Sequence, residues 1–284
     1  MSVLILTFFL YTQYSKANTN NTGNLVGPIL KVYFFDVGQG DSIFIRTPEG
    51  KDILIDGGPD STVLERLGKV LPYWDRKIDL VVLTHPHADH IQGLDDVLKN
   101  YQVGEVIETD LKNPPAEENY FNKLAANDGA VEEKAIKGEK INLENDIDLQ
   151  VLYPFGLQVD EQDLNDDSVV IKMTYKGRSF LFVGDATTNV ESKIEDQDLK
   201  ADFLKVGHHG SRYASSVDFL NKVQPTVSII SVGAGNSYGH PTQVTLDRLN
   251  SIGSKVLRTD KAGTVEVDVG SDGKWEINCK KSCD

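Results

Sequence analysis

The chain has 284 residues, 29 Lys and Arg against 43 Asp and Glu, and a formal net charge of −14. Its 39 % hydrophobic content is enough for the core of one large domain, and it contains no internal repeat or low-complexity block. It has no run of about 20 apolar residues to span a bilayer. It also has no basic run, so the usual electrostatic footprint of a nucleic-acid-binding surface is missing.

In chain order, residues 3–11 are apolar and residues 13–24 are rich in Asn, Thr and Ser. This is the pattern of the hydrophobic and cleavage regions of a secretory signal, with Ala17 as the small residue before the cut, although the basic leading region is missing. We therefore expect residues 1–28 to be an export signal and linker, residues 29–284 to be one domain, and the product to be secreted. Cys279 and Cys283, in CKKSC, suit either an exported disulfide or free surface thiols. Residues 31–35, 42–47 and 51–56 read as antiparallel strands joined by glycine turns. A helix is expected over 61–71, capped by Ser61. A buried strand follows at 80–83, then a helix over 91–101, a strand over 105–109 and a helix over 117–127. Residues 131–153 read as further strands, and the acidic segment 156–167 as a surface loop. A hairpin is expected from 168–175 and 178–183. The last third runs strand, loop, helix twice, and closes with strands at 264–269 and 274–278.

All six histidines fall in three short motifs: THPHADH (His85, His87, His90), GHHGS (His208, His209) and YGHPT (His240). Histidines used for packing would scatter, so this confinement points to one convergence point and to a metal. His85 and His87 are two apart after an apolar strand, so their rings leave on the same side. They suit one ion, while Asp89 and His90 suit a neighbour within the ~3.5–4 Å of two-metal hydrolytic sites. Such ligands fit zinc, and also iron or manganese. Asp185 follows an apolar strand and one glycine, where a carboxylate can bridge two cations. In GHHGS one histidine is expected to ligate, with His209 favoured. The other, His208, is expected to hydrogen-bond a substrate oxygen, while Ser211 and the turn's N–H groups hold an anionic oxygen. His240 precedes a helix, with Pro241 near its start.

HPHADH resembles the HxHxDH hallmark of the metallo-β-lactamase superfamily. FDVGQGDS, LIDGG, FVGDA, KVGHHGS and YGHP, in that order over residues 31–269, resemble the hydrolase-like domain of ComEC/Rec2 competence proteins. The resemblance implies a four-layer αββα sandwich of two mixed sheets with helices outside, here as a free-standing relative. It implies two divalent ions, zinc or manganese, bridged by Asp185, with the last ligand on His240 or on the histidine pair. One departure stands out. No histidine lies between His90 and His208, where the superfamily supplies a third one, and residues 165–168 (Asn-Asp-Asp-Ser) occupy that region. A carboxylate or amide there favours harder ions such as manganese. Asp36, Gln39, Asp41 and Asp56 are further candidates for the site's rim, with Asp56 expected to orient a ligand histidine.

The expected chemistry is attack by a cation-activated water on phosphorus or carbonyl carbon, with Asp89 orienting the water or accepting its proton and the non-ligating histidine serving the leaving group. The resemblance implies single-stranded DNA or another phosphodiester as substrate. The acidic composition keeps two alternatives open: a hydrolase of small esters, lactams or phosphodiesters, and a non-catalytic binding module with a partly metallated site. Lys205, Arg212, Lys255, Arg258 and Lys261 are the candidates for a local basic patch. Protein partners are not legible.

Overall fold

The structure, a computed structural model, describes residues 25–144, 146–160 and 163–283. Most of the expected export segment, residues 1–24, lies outside the described residues. The strands are β1 (Leu30–Phe34), β2 (Ile43–Arg46), β3 (Asp52–Ile55), β4 (Lys77–Leu83), β5 (Gln102–Glu108), β6 (Val131–Lys134), β7 (Lys140–Glu144), β8 (Ile147–Tyr153), β9 (Val170–Tyr175), β10 (Arg178–Phe182), β11 (Phe203–Lys205), β12 (Val227–Ile230), β13 (Lys255–Arg258), β14 (Val265–Val269) and β15 (Trp275–Cys279). The helices are α1 (Thr62–Val70), α2 (Ala88–Asn100), α3 (Ala116–Asp128), α4 (Thr188–Lys193), α5 (Val217–Val223), α6 (Gln243–Ser251) and α7 (Thr259–Ala262).

One sheet has the order β15-β14-β1-β2-β3-β4-β5-β6 and the other β13-β12-β11-β10-β9-β8-β7. Both are mixed: β3 to β6 run parallel to one another, as do β10 to β13. Alternation along the strands explains the layers. Val32, Ile45, Leu80 and Val82 face Leu149, Met173, Phe180 and Phe203 across the space between the sheets. Phe44, Leu54 and Val81 point outward onto Leu67, Leu94, Val97 and Phe121 of α1, α2 and α3. Leu181, Leu204 and Ile230 point outward onto Val190, Leu220 and Leu249 of α4, α5 and α6. The expected αββα sandwich is thus observed, and ligand-bearing loops follow the carboxyl ends of parallel strands in both sheets. No helix among the described residues is long and apolar enough to cross a membrane.

Several local expectations are corrected. Ser61 makes no side-chain cap to α1; the Asp60 carboxylate accepts from Thr62 N–H at 2.8 Å instead. The helix expected from residue 91 begins at Ala88, which puts Asp89 and His90 in its first turn. Within 131–153 the chain changes sheets, because β6 adds to the first and β7 and β8 to the second. The segment expected as a surface loop ends in a 3-10 turn, Leu164–Asp167, whose Asn165, Asp166 and Asp167 are buried. Cys279 and Cys283 form a disulfide.

Candidate metal centre

The first half of the site is built on β3, β4 and α2. Just past β3, Asp56 adopts a left-handed backbone (φ 59°) and is fully buried. Its Oδ1 accepts from Thr84 N–H at 2.8 Å, and its Oδ2 accepts from the Thr84 hydroxyl at 2.7 Å and from His90 Nδ1 at 2.8 Å. With the Thr84 hydrogen directed to Asp56, Thr84 Oγ1 accepts from His85 Nδ1 at 3.1 Å. In the neutral form of either ring, Nε2 is therefore the lone-pair nitrogen, facing the interior. His85 Nε2 lies 3.0 Å from His87 Nδ1, and the His85 and His90 ring centroids are 4.2 Å apart. Two glycines permit this packing: a Cβ on Gly93 would come within 2.0 Å of the Gly57 carbonyl oxygen, and one on Gly57 within 2.3 Å of Leu94 N.

The second half comes from the loops after β10, β11 and β12. Asp185 follows Gly184, and its N–H donates to Ser168 Oγ at 3.1 Å. Its Oδ2 lies 3.5 Å from His90 Nε2, 3.2 Å from His209 Nε2 and 3.8 Å from His208 Nε2. His208 and His209 both have left-handed backbones (φ 47° and 52°), a strained choice for residues with a Cβ. His209 Nδ1 donates to the Ser231 carbonyl at 2.9 Å, and this turns Nε2 to within 3.1 Å of Asp89 Oδ2. Asp41 Oδ1 lies 3.3 Å from the same Nδ1, and its Oδ2 pairs with Lys205.

The donor set suits divalent cations. His85, His90 and Asp185 form one group whose ligating atoms lie within 4.8 Å of one another; Asp89, His90 and His209 form a second, and Asp41, Asp185 and His209 a third. His90 Nε2 and Asp185 Oδ1 are buried without a hydrogen-bond partner among the described residues. Four carboxylates, Asp41, Asp56, Asp89 and Asp185, face one lysine, Lys205. Burial opposes protonation of His90 and His209. Even so, Asp185 and Asp56 beside His90, and Asp185, Asp41 and Asp89 beside His209, hold both well above the usual histidine range. The cluster therefore attracts positive charge, and ions there would displace those protons. His85 is held well below its usual value by burial and by the neighbouring His90.

The groups open onto a cavity of about 320 Å³ lined by Gln39, His87, Asp89, Asn165, Tyr238 and His240, among others. A cavity of about 370 Å³ on the outer face of the first sheet, near Tyr33, Arg66 and Lys280, contains no histidine.

The structure brings His85, Asp89, His90, Asp185 and His209 into close ligand groups, with His87 at the cavity and its Nδ1 3.0 Å from His85 Nε2. His208 and His240 stand at the rim, with ring centroids 5.5 Å apart, and neither enters a close ligand group. Burial and the nearby His208 and His209 lower the His240 pKa to about 4. Ser211 is displaced from its expected role: its buried hydroxyl accepts from Tyr213 N–H at 3.3 Å and does not line the cavity. Lys205 is no part of a basic patch, because its ammonium is fully buried against Asp41. Asp36 is paired with Lys281 at 3.4 Å, away from the cavity. In the segment without histidine, Asn165 is the residue that faces the cavity, its Oδ1 without a partner among the described residues, while Asp166 accepts from Thr187 and Asn189. The sequence reading assigns no role to Thr84 or Ser231, and it names Ser168 only as part of the segment 165–168, whereas Ser168 Oγ accepts from Asp185 N–H. Thr84 had a signal, since it directly precedes His85; Ser231 acts through its backbone and had none.

The Metallo-beta-lactamase superfamily profile matches residues 35–234. The chain belongs to the metallo-β-lactamase superfamily. Its ComEC/Rec2-like branch is supported by two relatives. ComE operon protein 3 of Bacillus subtilis is 33 % identical over 256 residues, covering 83 % of this chain and 32 % of that protein. Recombination protein 2 of Haemophilus influenzae is 31 % identical over 276 residues, covering 95 % of this chain and 31 % of that protein. The chain thus spans about a third of the length of these relatives. Among solved structures, CmlA of Streptomyces venezuelae, a diiron β-hydroxylase, superposes with a TM-score of 0.57 at 15 % identity, over 89 % of this chain and 54 % of that one; this likeness is one of fold. As a metallo-β-lactamase-superfamily member with this His/Asp cluster, the chain is a metal-dependent hydrolase.

Proposed function

We propose that this metallo-β-lactamase-fold hydrolase cleaves phosphodiester bonds, with DNA strands as the leading substrate class. The observation that carries the reading is Asp185, whose Oδ2 lies between His90 and His209 while Oδ1 remains free to take a second cation. In this reading His85, His87 and Asp185 hold one ion, and Asp89, His90, Asp185 and His209 the other. Zinc or manganese suits them, and the amide of Asn165 in place of an imidazole tilts the first site towards manganese. When bound, the ions supply an acidified water and neutralise charge on the attacked group. Asp89, half-buried at the cavity, is placed to orient a water there and would accept its proton. His208, kept largely neutral by burial, donates a hydrogen bond to a phosphoryl oxygen rather than a full proton. Asp56 and the Ser231 carbonyl fix the tautomers of His90 and His209.

The name of the Haemophilus influenzae relative, Recombination protein 2, supports DNA as substrate. A second reading, hydrolysis of a small ester, is favoured by one observation: among the described residues no Lys or Arg lines the cavity. Metal analysis followed by incubation with labelled single-stranded DNA, a chromogenic phosphodiester and a chromogenic ester, each with manganese and with zinc, separates the readings. Turnover of both phosphodiesters, lost in Asp185→Asn and His87→Ala, is the expected result; ester turnover alone would favour the second reading. A protein that takes up no ion would be a binding module. We also propose export, supported by the N-terminal pattern and by the Cys279–Cys283 disulfide. Cell fractionation tests it.

A further inference from the structure

We propose that Tyr238 is a stacking platform for the base beside the scissile phosphodiester, so that the site selects single-stranded nucleic acid through one aromatic contact; this rests on the phosphodiester reading above. Tyr238 lines the cavity, yet it is 68 % exposed. One face of its ring lies over His240, with centroids 5.8 Å apart and planes 24° from parallel. Among the described residues no second ring stacks on it. Its hydroxyl makes no hydrogen bond among the described residues, so neither core packing nor a polar tether accounts for the ring's position. The loop that carries it is held firmly: Asn236 Oδ1 accepts from His240 N–H at 3.0 Å, and Asn236 Nδ2 donates to the His240 and Gly233 carbonyls at 2.7 and 3.0 Å. A rigid, exposed aromatic face at the edge of a hydrolytic cavity has the form of a base-stacking surface.

The charges around it favour the same ligand. Among the described residues the cavity lining has no Lys or Arg, and Lys205, three positions before His208, is buried on Asp41. Phosphates beyond the reacting one therefore lack cationic partners there, and affinity must come from the ions and from stacking. Such a site discriminates against a duplex, whose bases are already stacked on one another. It also predicts a shallow salt dependence, because few counterions are released on binding.

The test measures KM for cleavage, and Kd by fluorescence anisotropy, with a labelled single-stranded oligonucleotide and with the same strand carrying an abasic residue beside the cleaved bond. Tyr238→Ala should raise both constants about tenfold on the intact strand, and Tyr238→Phe should restore them. The losses from Tyr238→Ala and from the missing base should not add. Raising salt from 50 to 200 mM should weaken binding by less than about tenfold, against the ~10³–10⁵ seen for proteins that contact many phosphates. If the protein cleaves phosphodiesters but Tyr238→Ala leaves KM and Kd unaltered, or the losses add, or the salt dependence is steep, the stacking role is overturned while the phosphodiester reading stands. If the protein turns over esters and no phosphodiester, both fall together.

Discussion

Asp56 touches no proposed substrate, yet its two oxygens fix Thr84, and through Thr84 and His90 they set two of the ring tautomers. Replacing it with Asn leaves one acceptor and introduces an N–H pair facing a ring that must keep its own N–H there. Asp56→Asn should lower metal affinity about 10–100-fold with the fold retained, as measured by competition with a chromogenic chelator. The Lys205–Asp41 pair is a different case, because both groups are excluded from water. Burial pushes the Asp41 carboxyl up, but Lys205 and then His209 outweigh it and hold it below its usual value. Lys205→Met strands that charge and should cost about 3–5 kcal/mol in urea unfolding, and adding Asp41→Asn should recover part of the loss. None of this was legible at Lys205, which reads in sequence as one more surface base. Its partner lies 164 positions earlier, and only the docking of the two sheets brings them together.

At the scale of elements, α2 must lie hard against the loop after β3 for His90 to reach Asp56. Gly93→Ala should therefore destabilise the protein by about 1–3 kcal/mol or more, and should also weaken metal binding, since the helix can relieve the overlap only by shifting its first turn. Calorimetry with and without manganese reads both effects. α3 carries Glu118, which is 2 % exposed, and its pKa is raised to about 8 by burial and then by the charge of Glu108. In the unfolded chain the group titrates near 4.5. Between those values unfolding releases a proton, so stability falls as pH rises through the window and levels off above pH 8. Glu118→Gln should remove that decline and exceed the parent at pH 8.5 by up to about 4 kcal/mol, with little gain at pH 4.5. The strands, the hairpin and the histidine loops were legible because apolar alternation and glycine punctuation are local. The change of sheet between β6 and β7 was not, because an exposed VEEK segment carries no mark of which edge it will join. Asn165 was singled out through the resemblance, but its burial was hidden: an acidic, aperiodic stretch reads as solvated, and the burial depends on Asp163, Thr187 and Asn189 satisfying its neighbourhood.

At the scale of the whole molecule, residues 85–90 hang from the first sheet, while Asp185 and His209 hang from the second. Each proposed ion therefore has ligands on both sides of the seam and would act as a clasp between the two layers, beside the Lys205–Asp41 pair and the apolar contact that already join them. Ion at about 100 times its Kd should add about 2.7 kcal/mol to unfolding, and a chelator should remove it, visible as a drop in Tm. The stripped protein should part first along that seam. Amide exchange would then quicken in β4 and β10, which lead into the ligand-bearing loops, before it quickens in the outer helices. A hydrolase arranged in this way loses its shape and its chemistry to the same scavenging of ions.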